Sequence, residues 1–161
     1  TKVTKVVPGG AERQDSVRHA LEAVPEDADL VLVHDAVRPF LTERMVEDVV
    51  RMARAKGAAI VALPVRDTVK QVGADRVIER TVDRGPLWLA QTPQAFRARS
   101  LKQAFRQARE ENFYATDEAG LIEHTGGKVV WVEGEEKNLK ITTPSDLQVA
   151  ELFARELGTC A

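Results

Sequence analysis

The sequence is poor in the residues that build several common kinds of site. Its one cysteine, Cys160, is next to last, which excludes a disulfide framework and a thiolate metal cluster and makes a reduced, cytoplasmic setting the default expectation. The three histidines lie far apart and lack metal-ligand spacing. No apolar run reaches membrane-spanning length, and the formal net charge is only −2. We therefore expect neither a membrane nor a nucleic acid as a partner.

Several catalytic motifs are missing as well. There is no nucleophile elbow and no convincing Ser/His/Asp set, so covalent catalysis is not expected. Gly9-Gly10 precedes a helix, but this turn is neither a Walker loop nor a dinucleotide fingerprint. The turn either only reverses the chain or brings free amides close to an anion. Because the chain opens without Met on the strand-like alternation of residues 1–7, we expect an N-terminally incomplete fragment.

Apolar strands and amphipathic helices alternate over short loops. A buried strand over 30–33 precedes a helix that Thr42 caps and Gly57 ends, and a second buried strand follows over 58–63. This order predicts an α/β fold with a mainly parallel sheet, in one domain spanning residues 1–161. The other expected elements are a first strand over 1–7, a loop at Thr92-Pro93-Gln94, a helix over 101–108, a short helix capped by Thr116, strands over 128–133 and 139–142, and a last helix that starts at Thr143.

The most informative segment ends the strand over 30–33. Four large aliphatic residues predict a central strand buried on both faces, and Asp35 and Arg38 follow directly. Ligands bind beyond the carboxyl ends of strands in open α/β sheets. A carboxylate there can hold a hard cation, and an arginine can hold a phosphate. Alternatively, Asp35 caps a turn and Arg38 forms a surface ion pair. We expect His34 to be structural, because it faces away from Asp35 along the strand.

Residues 66–84 form a predicted β-arm, a hairpin whose faces are too polar to be buried in a monomer's core. The hairpin either lies on the parent sheet or projects onto a partner chain. Arg66-Asp67-Thr68 and Asp83-Arg84 meet at its base, where they would bind a phosphate or form two Arg–Asp ion pairs. Lys140 also has two interpretations, because its ammonium either enters the ligand crevice or protects a sheet edge.

Seven segments, read in order, resemble one family closely: 2-C-methyl-D-erythritol 4-phosphate cytidylyltransferase. They are residues 9–17, 33–40, 64–70, 81–84, 91–96, 116–119 and 138–146. The resemblance implies a Rossmann-like nucleotidyltransferase fold and a homodimer in which the β-arm reaches the neighbouring subunit. It also implies Mg²⁺ as cofactor and cytidylyl transfer from CTP to methylerythritol phosphate, with release of pyrophosphate, in non-mevalonate isoprenoid synthesis.

The same resemblance assigns roles to individual residues. Those expected around CTP are Gly10, Arg13, Ser16, Asp35 and Ala36. Those expected around the phosphosugar are Arg38, Thr68, Arg84, Thr92 and Thr116, with Thr68 and Arg84 acting in the neighbour's site. Lys140, Asp35 and Arg38 are the expected catalytic residues, and Asp35 is the expected metal ligand.

One family feature has no match here. The family begins with a Gly-rich loop that cradles the triphosphate, and without that loop we expect poor CTP binding and little turnover. Two rival functions stay open, namely a cytidylyltransferase for a pentitol phosphate such as ribitol 5-phosphate, and a non-catalytic dimerisation or nucleotide-sensing module. A fused downstream enzyme is also compatible with the sequence.

Overall fold

The computed structural model describes residues 2–158, and the expectation of a frayed tail at Cys160 lies outside that range. Eleven helices and strands form within it. They are α1 Arg13–Glu22, β1 Leu30–Val33, α2 Glu43–Lys56, β2 Ala58–Pro64, β3 Val69–Val72, β4 Ile78–Val82, β5 Trp88–Arg97, α3 Ala98–Glu110, α4 Glu118–His124, β6 Val130–Glu133 and α5 Pro144–Glu156. None of these helices is both long and apolar enough to cross a membrane.

The main sheet has the strand order β1-β5-β2-β6. Strands β1, β2 and β6 run in one direction, and β5 runs antiparallel between β1 and β2. The sheet is therefore mainly parallel in strand direction, as predicted. Our prediction of a loop at residues 92–94 was wrong, because these residues lie inside β5. Pro93 is tolerated there because the register of β2 and β5 shifts between Ile60 and Val61, so the ladder does not need its missing amide.

Helices cover both faces of this sheet. On one face, α2 packs Met45 and Val49 against Ala59, Val61 and Ala95. On the other face, α1, α3 and α4 pack against β2 and β5. This cluster includes Leu21, Phe96, Leu101, Phe105 and Leu121. Consecutive residues of β2 enter opposite clusters because side chains alternate along a strand. The two clusters make a rigid support for the loops beyond the strand ends.

Strand β1 differs from the prediction of a central strand buried on both faces. Within residues 2–158 it pairs only with β5, and Leu32 is 37% exposed. The predicted strands over 1–7 and 139–142 do not form in the described residues. Val3 and Val6 are exposed, and without a neighbouring strand their alternation cannot produce a ladder. In the second segment, the amide of Thr142 donates to Asp146 instead of to a strand.

Most of the predicted helix ends are confirmed. Thr42 caps α2, Gly57 ends it at φ 97°, and Thr143 and Asp146 form a capping box at α5. The prediction that Thr116 caps α4 was wrong by one residue. Asp117 is the N-cap, and its carboxylate accepts the Gly120 amide at 3.0 Å. The shift makes Glu118 the first residue of the helix and leaves Asp117 outside it as the cap.

The predicted hairpin is present as a separate two-stranded sheet of β3 and β4. Most of its side chains are exposed, including Val72, Val77 and Ile78 at 53%, 58% and 58%. Lys70 and Thr81 pair across the strands through a 2.6 Å hydrogen bond. The hairpin therefore does not pair with the main sheet within residues 2–158, which leaves its apolar side chains without cover there.

Candidate active site

A cleft of about 200 Å³ lies beyond the carboxyl end of β1. It collects residues from five separate parts of the chain. The residues that line it are Arg13, Asp35, Arg38, Ala90, Gln91, Thr92, Gln94, Thr116, Asp117 and Lys140. Six residues that the sequence singled out thus meet in one place, namely Arg13, Asp35, Arg38, Thr92, Thr116 and Lys140. The strand-end position explains part of this convergence, because Asp35 and Arg38 follow β1, Lys140 follows β6, and these strands run in one direction and end at the same edge of the sheet.

Asp35 is surrounded by three cationic side chains. Its Oδ1 accepts from Arg13 Nε at 3.2 Å, and its Oδ2 lies 3.2 Å from Lys140 Nζ. Arg38 Nε is further away, at 3.7 Å from the same Oδ2. The Asp35 side chain is only 13% exposed, so water screens these attractions weakly. Of the two interpretations of Lys140, the contact with Asp35 supports the one in which its ammonium enters the crevice.

The electrostatics keep this aspartate ionised. Burial alone would raise the pKa of Asp35, but Arg13 and Lys140 outweigh burial and hold its pKa below the ordinary value. Burial also lowers the pKa of Arg38, against the attraction of Asp35. Arg13 also pairs with a second carboxylate, Glu118, so Arg38 and Lys140 are the two cations beside Asp35 that remain for a ligand. A guanidinium and an ammonium side by side suit an anionic ligand.

A small hydrogen-bond network fixes the backbone at Asp35. Thr92 Oγ1 accepts the Asp35 amide at 3.0 Å and lies 3.0 Å from His34 Nδ1. His34 Nε2 lies 3.0 Å from the Arg38 carbonyl, which can only accept. Nε2 therefore carries a hydrogen, and in the neutral ring Nδ1 accepts from the threonine hydroxyl. His34 therefore supports the turn that presents Asp35 and Arg38, as expected of a structural residue. It lies just past β1, however, and lines the same groove as Asp35 instead of facing away from it along the strand.

Asn138 is a fully buried residue that the sequence reasoning did not single out. Its Nδ2 donates to the Thr92 carbonyl at 2.9 Å and to Gln91 Oε1 at 3.1 Å. Its own carbonyl accepts from Arg38 Nη1 at 2.7 Å. Asn138 thus ties β5 to the segment that carries Lys140. The sequence could have indicated Asn138 only through its position in the segment 138–146, two residues before Lys140.

Glu118 was also missed, because we interpreted it only as a first-turn acid of α4. Its side chain is 1% exposed and forms two hydrogen bonds with Arg13, from Nη1 at 2.8 Å and from Nη2 at 3.0 Å. Burial raises the pKa of Glu118, and Arg13 only partly offsets that effect. No sequence pattern joins residues so far apart, so only the fold could reveal this pair.

Gly10, Ser16 and Ala36 lie beside the cleft rather than in it. The Gly10 amide donates to Ser16 Oγ at 2.9 Å, and a Cβ at Gly10 would overlap the side chain of Asp15. A glycine is therefore required at the close approach of this turn to α1. Ser16 and Ala36 line a neighbouring groove of about 440 Å³ that also reaches Arg13 and Asp35.

Thr68 and Arg84 do not line the cleft of the same chain. They lie at the exposed base of the β-arm, where Arg84 Nη1 donates to the Arg66 carbonyl. The alternative of two Arg–Asp ion pairs at this base was wrong. Within the described part of the chain Arg66 pairs with Glu136, while Asp83 accepts the Gly85 amide at 3.0 Å. The arm base thus leaves its polar groups open to solvent or to another chain.

A metal site made by the protein alone is not present in residues 2–158, where no three His, Cys, Asp or Glu side chains are grouped for a metal. Two carboxylates, Asp35 and Asp117, line the cleft. Mg²⁺ commonly takes only one or two carboxylates and fills its other positions with water and phosphate oxygens. This donor set therefore fits a metal ion that arrives with a nucleotide, and the cations around Asp35 oppose one that binds alone.

The fold and the cleft together are those of a nucleotidyltransferase-type α/β protein. The family model described as IspD, 2-C-methyl-D-erythritol 4-phosphate cytidylyltransferase, matches residues 1–156. A protein of that name from Syntrophus aciditrophicus is 48% identical over 97% of this chain and 67% of its own length. Another, from Pelotomaculum thermopropionicum, is 52% identical over 93% of this chain and 63% of its own length.

A solved structure gives the same result. The 2-C-methyl-D-erythritol 4-phosphate cytidylyltransferase from Thermus thermophilus superposes with a TM-score of 0.86 and is 42% identical, covering 92% of this chain and 72% of that one. The chain therefore belongs to the 2-C-methyl-D-erythritol 4-phosphate cytidylyltransferase family. It spans about two thirds of the length of the curated relatives that it matches.

Proposed function

We propose that the protein to which this chain belongs transfers the cytidylyl group of CTP to 2-C-methyl-D-erythritol 4-phosphate. The products are the cytidyl diphosphate derivative and pyrophosphate, and the reaction is a step of isoprenoid biosynthesis. The observation that carries the proposal is the placement of Arg38 and Lys140 within 4 Å of one ionised Asp35. Two phosphate-bearing substrates need such a concentration of positive charge at the point where they meet.

The chemistry is an in-line displacement at phosphorus. A phosphate oxygen of methylerythritol phosphate attacks the α-phosphorus of CTP, and the bond to pyrophosphate breaks. Lys140 and Arg38 hold the attacking phosphate and offset its charge, and Asp35 keeps both cations in place. No protein nucleophile is required, so catalysis consists of positioning and charge stabilisation. Thr92 and Thr116 offer hydroxyl groups to the phosphosugar.

The nucleotide lies on the side of α1 in this proposal. Arg13 and the turn that Gly10 and Ser16 form face the cytosine and the ribose, together with Ala36. Mg²⁺ accompanies the triphosphate, and Asp35 is the carboxylate that would hold it. A bound magnesium ion would offset negative charge on the phosphates.

The β-arm is proposed to act between subunits of a homodimer. Thr68 and Arg84 lie outside the cleft of their own chain, and exposed valine and isoleucine side chains on the arm favour a covering partner. In this arrangement both residues bind methylerythritol phosphate in the neighbour's cleft. Residues 1–161 then form one nucleotidyltransferase domain with the arm 66–84 as its projection, and we place the enzyme in the cytoplasm.

A pyrophosphate-release assay tests the function. The 161-residue chain is assayed with CTP, Mg²⁺ and methylerythritol phosphate, beside the same chain fused behind the N-terminal Gly-rich loop that the family resemblance implies. We expect release by the fused protein, little by the chain alone, and none after chelation of the metal. Ribitol 5-phosphate serves as the competing substrate. No release in either protein would refute the function, and preferred use of ribitol 5-phosphate would reassign its substrate.

A further inference from the structure

A buried carboxylate to which the proposed function gives no role lies directly behind Arg13. The Glu118 side chain is 1% exposed, whereas the side chain of Arg13 is 33% exposed. A carboxylate so far from water is costly unless both of its oxygens are paired. Both are paired here, and both with the same guanidinium. The arrangement therefore constrains Arg13 more than an ordinary surface ion pair would.

The geometry of the Arg13–Glu118 pair fixes the plane of the guanidinium as well as its distance from the carboxylate. Two parallel hydrogen bonds of 2.8 and 3.0 Å join the two ends of the guanidinium to the two carboxylate oxygens. With this edge of Arg13 occupied, Nε and the second hydrogen of Nη2 remain for Asp35, and both nitrogens lie within 3.2 Å of Oδ1. Arg13 therefore contacts Oδ1 and leaves Oδ2 to Lys140.

Glu118 is itself held rigidly. It is the first residue of α4, directly after the N-cap Asp117. Gln94 of β5 donates to Asp117 Oδ2 at 2.8 Å and accepts the Ala119 amide at 3.3 Å. These bonds clamp the first turn of α4 to the buried middle strand of the sheet. The Glu118 carboxylate is therefore held in place by the fold, and it in turn restrains the long side chain of Arg13.

We propose that Glu118 is a positioning residue, which holds the Arg13 guanidinium so that it contacts one oxygen of Asp35 and leaves the other for Lys140. Without Glu118, the fork of Arg13 is free to turn onto both oxygens of Asp35, and Lys140 loses its partner. The inference rests on the proposed function for its catalytic consequence, but its geometric content can be measured without turnover.

The kinetic test is a double-mutant cycle in the fused protein. Glu118→Gln keeps the size of the side chain and removes its charge, and we expect kcat/KM to fall by about 100-fold, since misplacement of a site group by about 1 Å has that effect. In a protein that already carries Arg13→Gln, the same change should alter kcat/KM by less than about twofold, because the partner is gone. An equal fall in both backgrounds would show that Glu118 acts on the fold and overturn the proposal.

An activity-independent test uses the 161-residue chain labelled with ¹⁵N-arginine. A guanidinium held by a fork gives separate Nη–H resonances, and those of Arg13 are identified by their loss in Arg13→Lys. We expect them to change position in Glu118→Gln, because the fork moves from Glu118 to Asp35, and to stay in place in the control Glu111→Gln, whose carboxylate pairs with His124 instead. Unchanged Arg13 resonances in Glu118→Gln would refute the proposal. Changed resonances together with no pyrophosphate release in the wild-type fused protein would refute the function alone.

Discussion

The cleft and the base of the β-arm contain similar residues but hold them in different ways. In the cleft, the side chains of Asp35 and Arg38 are 13% and 11% exposed, and their contacts join segments about a hundred residues apart. At the arm base, the ion pair of Arg66 and Glu136 is 74% and 63% exposed. Exposed pairs contribute little because solvent and salt screen them, whereas partly buried networks hold a geometry. The cleft is therefore organised within one chain, and the arm is open to a partner.

The largest expected effect comes from removing the charge at the centre of the cleft. Asp35→Asn leaves Arg13, Arg38 and Lys140 without their shared counter-charge, so we expect kcat of the fused protein to fall by about 10³-fold. The free energy of unfolding should also fall, by about 1–3 kcal/mol, because the mostly buried Arg38 loses its partner. Steady-state kinetics and urea unfolding measure the two effects. Activity within about twofold of wild type would remove Asp35 from the reaction.

The second prediction compares stability in the two regions. Leu101→Ala removes a side chain that is 0% exposed, and we expect a loss of about 2–5 kcal/mol in the free energy of unfolding. Ile78→Thr changes an arm side chain that is 58% exposed, and the expected loss is below about 0.5 kcal/mol. Urea unfolding of both variants at a protein concentration that keeps the chain monomeric gives the comparison. A large loss for Ile78→Thr under those conditions would mean that the arm packs on its own chain.

The same contrast explains which parts of the molecule could be predicted from sequence. Capping at Thr42 and Thr143 depends on neighbouring residues, and local patterns identified both correctly. The strand-end position of Asp35 also follows from a local apolar run. Strand β5 was not predictable, because Thr92-Pro93-Gln94 is typical of a turn. Pro93 can lie inside a strand only because the pairing of β2 with β5 shifts register beside it. The pairing of Arg13 with Glu118 depends on packing between distant elements, so no local pattern encodes it.

The third prediction concerns the arm and tests its action between subunits. Arg84→Ala should raise KM for methylerythritol phosphate by about tenfold, the loss expected for one charged hydrogen bond to phosphate, with little change in stability. Random mixing of Arg84→Ala with Asp35→Asn should give about a quarter of wild-type kcat/KM, because half of the dimers then contain one intact site. A mixture with only about a twentieth of wild-type kcat/KM, with mixed dimers shown by native mass spectrometry, would place the arm in its own chain's cleft.

The smallest effect is expected at Asp146, in the cap of α5 that directly follows the segment carrying Lys140. Asp146 Oδ2 accepts from the amides of Thr142 and Thr143 at 2.9 and 2.8 Å, and these bonds lower its pKa to about 2. The unfolded chain, with an ordinary pKa near 3.8, binds the proton more readily. The contribution of Asp146 to stability is therefore complete above about pH 5 and disappears as the pH falls through about 2.

Asp146→Asn should accordingly lower the free energy of unfolding above about pH 5 and converge with wild type in acid. Urea unfolding between pH 7 and the lowest pH at which both proteins still fold gives the difference curve. Ile78→Thr is the control from the arm, and its difference from wild type should not depend on pH over this range. A difference for Asp146→Asn that stays constant down to low pH would show that the capping bonds contribute without the carboxylate's charge.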